Sequence, residues 1–194
     1  MERAGESMVG FSPPSSVDTN QGECGENRHM PRLFVAIWPP EELLDRLADM
    51  EQPKDPGVKW VRPENLHITL RFLGDADVDE AIARLDDAFL PQATAVLGPA
   101  IDLRFERSIM LPVAGVDDLA EVVEQAMRGV GTANERRRFA GHLTLARLAK
   151  RARPDRSVGR LFEASFEVDE IALVASTLAE GGSVYETVET WPTR

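Results

Sequence analysis

His67-Ile68-Thr69-Leu70-Arg71-Phe72 and, 75 residues further on, His142-Leu143-Thr144-Leu145-Ala146-Arg147 share the frame His-x-Thr-Leu. The chain holds only three histidines, and this frame uses two of them. Side chains two apart on a strand leave the same face. His67 therefore shares a face with Thr69, and His142 with Thr144. Ile68, Leu70, Leu143 and Leu145 point the other way. Each stretch reads as a strand with an apolar side for a core and a polar side carrying imidazole and hydroxyl. If the two strands face one groove, it gathers two of each group.

Outward from these stretches, the pattern alternates strands and helices. Residues 32–38 are a short, nearly continuous apolar run stopped by Pro39-Pro40, the mark of a buried strand. Leu43, Leu44, Leu47 and Met50 follow at helical spacing, with Pro40 suited to the first turn. Residues 58–61 read as a short strand, 62–65 as a turn and 67–73 as a strand ended by Gly74. Asp77 can cap a helix reaching residue 89, with Ile82, Leu85 and Phe89 inward. Residues 100–106 and 109–114 read as two strands around Arg107-Ser108. Asp117 caps a helix with Leu119, Val122, Val123 and Ala126 inward, ended by Gly129 and Gly131. Residues 142–148 are again a strand, and 154–164 a loop or short helix. Residues 166–176 and 183–190 form strands around Glu180-Gly181-Gly182, a hairpin signal. Helices between groups of strands favour α+β with largely antiparallel sheets. The repeated frame suggests two halves of similar topology.

The 194 residues are 43% hydrophobic and 28% charged, which suits one globular domain or two lobes sharing a core. Residues 1–31 differ: rich in Gly, Ser, Pro and Asn, without apolar periodicity, they read as a disordered leader holding Cys24 and His29. The domain is then 32–194. No apolar run approaches the roughly 20 residues of a membrane span. The lone cysteine excludes a disulfide framework within the chain and fits a reducing, cytoplasmic setting. Few soft ligands remain for a structural zinc, so no metal is expected. The net charge of −11 argues against broad duplex binding but not against a small anion in a local basic pocket. Positive charge gathers near both motifs, in Arg62, Arg71 and the run Arg136, Arg137, Arg138, Arg147, Lys150, Arg151, Arg153, Arg156 and Arg160.

Two imidazoles and two hydroxyls suit attack on phosphorus. A neutral imidazole accepts a proton from the nucleophile and an imidazolium protonates the leaving oxygen, and histidine populates both forms near neutrality. Threonine hydroxyls can donate to the non-bridging oxygens where charge builds. Arg147 is the natural phosphate fork. Five residues from His142, it falls on the wrong face of a regular strand, so a bulge or the strand's end must turn it inward. No Walker, dinucleotide or nucleophile-elbow glycine pattern is present.

These residues resemble the two-histidine (2H) phosphoesterase superfamily, and most closely the RNA 2′,3′-cyclic phosphodiesterase family formerly called 2′-5′ RNA ligases. The likeness covers about 32–191. It rests on 32–37, on the run from Trp60 to Gly74, on 142–147, and on Ser176, Leu178, Gly182 and Tyr185 near the end. It implies a bilobal α+β fold: two largely antiparallel sheets, their halves related by a pseudo-two-fold, flank a central groove, with helices on the outer faces. It implies opening of a terminal 2′,3′-cyclic phosphate to a 2′-phosphate without metal or cofactor, by a monomer acting on RNA 3′ ends or nucleotides. By carry-over, His67 is the acid and His142 the base. Thr69, Thr144 and Arg147 hold the phosphate, and Phe72 borders the terminal nucleoside. A 2′,5′-phosphodiesterase, a 2′-5′ ligase and a non-catalytic RNA-end binding module are the alternatives. One position departs from the family: Gly141 stands where proline usually precedes the second histidine, and glycine loosens that approach.

Overall fold

The computed structural model describes residues 30–194 apart from 51, 53, 54, 105, 106, 134–137, 151, 154, 155 and 181. Almost all of the expected leader, with Cys24 and His29, lies outside the described residues, as do Arg136, Arg137, Arg151 and Gly181.

Strand β1 (Arg32–Ile37) is buried from Leu33 onward. Strands pair on both its edges and both its faces are covered, Leu33, Val35 and Ile37 in one apolar cluster and Phe34 and Ala36 in another, which is why the run reads as continuously apolar. Helix α1 (Glu41–Ala48) buries Leu43 and Leu47. After β2 (Val58–Trp60), a 3₁₀ turn, Pro63–Asn65, delivers the chain into β3 (Ile68–Asp75). Asp77 caps α2 (Val78–Asp86), its carboxylate accepting the Glu80 N–H at 3.0 Å. Then come β4 (Ala93–Leu97), β5 (Asp102–Arg104), β6 (Ser108–Ala114) and α3 (Asp117–Ala126). The chain closes with β7 (His142–Leu148), β8 (Ala164–Val168), β9 (Glu170–Ala179) and β10 (Gly182–Pro192).

Every strand pair is antiparallel. The expected two sheets are instead one hydrogen-bonded path, β10-β9-β1-β3-β7-β6-β4-β8, with β2 attached to β7 and β5 to β6. The path is continuous because β6 pairs with both β7 and β4. The two motif strands are direct neighbours at its middle.

The path cannot lie flat. β2 pairs with β7 on the edge that β3 also uses, opposite β6, so β10 and β2 are three steps apart. At about 4.8 Å a step, a flat sheet would hold them roughly 14 Å from each other. Yet a Cβ at Gly182 would stand 3.5 Å from Lys59 Nζ on β2, and Asn65 Nδ2 donates to Ser183 O at 3.2 Å. The sheet therefore curls into a trough, and the β9–β10 hairpin returns toward the opposite wall.

The helices α1, α2 and α3 bury their apolar residues in one large cluster with Ile68, Leu70, Leu143 and Leu145. A smaller cluster of Phe34, Ala36, Ala172 and Val174 lies on the other side, with Trp38 and Tyr185 against it. That second face is the trough.

Several elements differ from the sequence reading. Residues 166–176 are two strands broken at Asp169: β8 pairs with β4 and β9 with β1, far apart in the order. β4, to which the pattern assigned nothing, alternates buried Ala93, Ala95 and Leu97, but alanine carries little strand preference. Helix α2 stops at Asp86, leaving Phe89 70% exposed rather than inward. Val116, not Asp117, is the N-cap of α3; Asp117 sits in the first turn, where its charge still favours the positive helix end.

Candidate active site

Both motifs fold with the expected alternation. Ile68, Leu70, Leu143 and Leu145 are buried, and His67, Thr69, His142 and Thr144 are half-buried on the trough side. Strands β3 and β7 pair antiparallel through Ile68 and Leu143. One residue either way, that register sets His67 against Thr144 and Thr69 against His142. Directly opposed side chains stand about 4.5–5.5 Å apart at Cβ. The two imidazoles thus lie diagonally across one strand boundary.

The two rings are anchored alike. His67 Nδ1 donates to Asn65 O at 2.8 Å, and His142 Nδ1 donates to Ala140 O at 2.7 Å. A carbonyl oxygen can only accept, so each Nδ1 carries the proton and each Nε2 becomes the proton-transfer atom.

Their surroundings differ. His67 is walled by aromatic rings: Phe34, Tyr185 and Trp38 at 4.9, 5.2 and 5.8 Å between centroids. Trp38 is itself held by Nε1–H donating to Thr187 Oγ1 at 3.2 Å. Burial pushes the His67 pKa down from its ordinary 6.5; the bond to Asn65 O opposes this, while the positive charges of His142 and Arg147 add to it. Those last two effects place His142 and Arg147 within electrostatic reach of His67.

Arg147 reaches the trough through a bulge. Across from β7, Ile109 pairs with Ala146 and Met110 with Thr144, which leaves Leu145 as an extra residue. The extra residue inverts the alternation beyond it. Ala146 and Leu148 are accordingly buried and Arg147 exposed. The first motif does the same: Val35 pairs with Arg71 and Ala36 with Thr69, skipping Leu70. Phe72 therefore emerges on the trough side, 61% exposed, its ring 5.8 Å from Phe34. Arg71 goes the other way. It is 6% exposed and ion-paired to Glu124 of α3, so it is not part of the positive charge around the first motif.

Gly141 also corrects an expectation. A Cβ there would stand 2.3 Å from Val113 O, and Val113 N–H donates to Gly141 O at 2.9 Å. The glycine tightens the approach to His142 by letting backbone meet backbone.

Sequence reasoning missed the aromatic wall and Lys59. Phe34 and Trp38 lie four apart on one face of the first strand, and Tyr185 is the chain's only tyrosine, but nothing local showed that β10 curls back over β3. Among the described residues, no three His, Cys, Asp or Glu side chains converge to hold a metal ion. No described helix is long and apolar enough to cross a membrane.

Residues 37–95 match the family model of LigT-like phosphoesterases. The RNA 2′,3′-cyclic phosphodiesterase of Methanocaldococcus jannaschii is 31% identical over 174 residues, covering 82% of this chain and 99% of its own. That of Escherichia coli is 31% identical over 170 residues, covering 82% and 95%. Among solved structures, E. coli LigT complexed with 3′-AMP superposes with a TM-score of 0.66 at 29% identity, covering 84% of this chain and 98% of that one. The paired motifs, the curled antiparallel sheet and these likenesses agree: the chain belongs to the RNA 2′,3′-cyclic phosphodiesterase family of LigT-like 2H phosphoesterases.

Proposed function

We infer that the protein hydrolyses the terminal 2′,3′-cyclic phosphate of RNA to a 2′-phosphomonoester, using its paired histidines and no metal. The observation that carries this is the twin anchoring of the imidazoles, each with Nδ1 on a main-chain oxygen and Nε2 left for proton transfer over one shared face.

In the reaction, water attacks phosphorus as the bond from phosphorus to the 3′ oxygen breaks. Nε2 of one histidine takes the water proton, and Nε2–H of the other protonates the departing oxygen. A 2′-phosphate and a 3′-hydroxyl result, and exchange with solvent resets both rings. The surroundings support His67 as the acid and His142 as the base. The ribose that carries the departing oxygen comes with a nucleoside, and the rings able to stack on one, Phe72, Trp38 and Tyr185, lie on the His67 side. Thr69, Thr144 and Arg147 share the face on which charge develops on the phosphate oxygens. The relatives named RNA 2′,3′-cyclic phosphodiesterase support the substrate.

The test feeds the purified protein a cyclic-phosphate-ended oligoribonucleotide with EDTA present. His67→Ala and His142→Ala should each slow release of 2′-phosphate by about 10²–10⁴-fold. A substrate with sulfur in place of the bridging 3′ oxygen leaves as thiolate and needs no proton. It should restore His67→Ala and leave His142→Ala slow. Two variants as active as the wild type would end the paired-histidine reading, and rescue of the other variant would exchange the roles.

A further inference from the structure

Lys59 lies at the centre of β2 and pairs directly with Arg147 of β7. Directly paired residues leave the same face of a sheet, and like charges so placed destabilise it. Both are exposed, while the flanking pair, Val58 and Leu148, is buried on the other face. Neither cation forms an ion pair with a described residue. Other described cations such as Arg107, Lys150 and Arg160 also form no ion pair with a described residue, so what distinguishes these two is that they face each other on one sheet face. The same cross-strand row continues through Ser108 to Arg104, but Asp102 holds Arg104 at 2.9 Å. Within this row the unbalanced positive charge is therefore that of Lys59 and Arg147.

The two cations serve different points. Arg147 bears on His67. The Lys59 ammonium lies instead beside the Gly182 end of β10, where a Cβ would be 3.5 Å from Nζ. β2 lies in line with β3 on the same edge of β7, so Lys59 stands beyond the start of β3, further along the trough than the histidines. A cyclic phosphate terminates its RNA strand, so a second phosphate can only come from the 5′ side. We propose that Lys59 forms a second anion subsite that binds the phosphodiester one nucleotide upstream of the reacting phosphate, and so selects RNA ends over single nucleotides. The like-charge pair is then a vacancy in the charge pattern that the substrate's backbone fills.

This rests on the hydrolytic reading above, and the test separates the two. Three substrates are compared: a nucleoside 2′,3′-cyclic phosphate, a dinucleotide ending in the cyclic phosphate, and the same dinucleotide with a neutral methylphosphonate linkage. The wild type should favour the charged dinucleotide. Lys59→Gln should raise KM for it roughly tenfold, the size of one charge-assisted contact, and leave the other two unchanged. The salt slope of KM for the charged dinucleotide should fall by about one. The Tm of Lys59→Gln should match or exceed that of the wild type, because the like-charge pair is relieved. Equal loss on all three substrates would put Lys59 on the reacting phosphate, and equal wild-type use of charged and neutral dinucleotides would remove the subsite; either result overturns the proposal. If the wild type cuts none of them, the hydrolytic reading falls. Binding of the three to wild type and Lys59→Gln then still decides the subsite.

Discussion

At the scale of single residues, the two imidazoles share an anchor and differ in environment. Both offer Nε2 because both give Nδ1–H to the carbonyl two residues earlier. Only His67 sits inside an aromatic wall, and burial there favours its neutral form. An acid so placed must gain its proton against that bias, and the phosphate anion is what favours imidazolium. The basic limb of kcat/KM should therefore fall below 6.5, where the free enzyme's His67 loses its proton, and the limb of kcat should lie higher, with anion bound. A kcat limb below that of kcat/KM would contradict this. Folding gives an independent check. The unfolded chain takes up the His67 proton below about 6.5 and the folded chain only at lower pH, so stability falls with pH through that window and then levels off. In thermal melts, His67→Gln should lose less Tm between pH 7 and pH 5.5 than the wild type.

At the scale of elements, the extra residue that follows each His-x-Thr decides which side chains reach the substrate. The frame His-x-Thr was legible because strand alternation alone sorts its residues. Beyond the fourth residue it fails: alternation puts Arg147 in the core and Arg71 toward the histidines. The bulges at Leu145 and Leu70 exchange those outcomes. A bulge arises from pairing with a neighbour, so a single strand's sequence does not display it. The same limit hid the break at Asp169, whose two sides answer to different partners. Gly141 shows the converse, a residue whose reason is wholly a contact across strands. Gly141→Ala should force β6 and β7 apart where Val113 O now sits, and move the Ala140–His142 anchor with them. The expected result is a loss of about 1–3 kcal/mol in stability, the usual cost of forcing in atoms where packing is complete. A fall in kcat beyond that of an equally destabilised core variant should accompany it. Unchanged melting and activity would show that the strands yield freely.

At the scale of the whole molecule, the curl of the sheet makes a site from parts that sequence order keeps separate. The fold class, most strands and both histidines could be read locally, since each follows from composition and period. The aromatic wall could not. Tyr185 meets His67, and Ser183 meets Asn65, because the sheet turns back on itself and not through any nearness along the chain. Asn65 is the joint in this closure: its main-chain oxygen holds the His67 ring, and its side chain holds the start of β10. Asn65→Ala removes the second link and keeps the first. One hydrogen bond contributes about 0.5–1.5 kcal/mol, so the hairpin tip should open roughly two- to tenfold more often. Amide hydrogen exchange would register this as faster exchange near 177–184, with β3 and β7 unchanged, since their buried leucines belong to the core on the other face. Faster exchange throughout the sheet would mean that the hairpin is part of the global fold. No change anywhere would mean that the aromatic contacts of Tyr185 hold the strap down without Asn65.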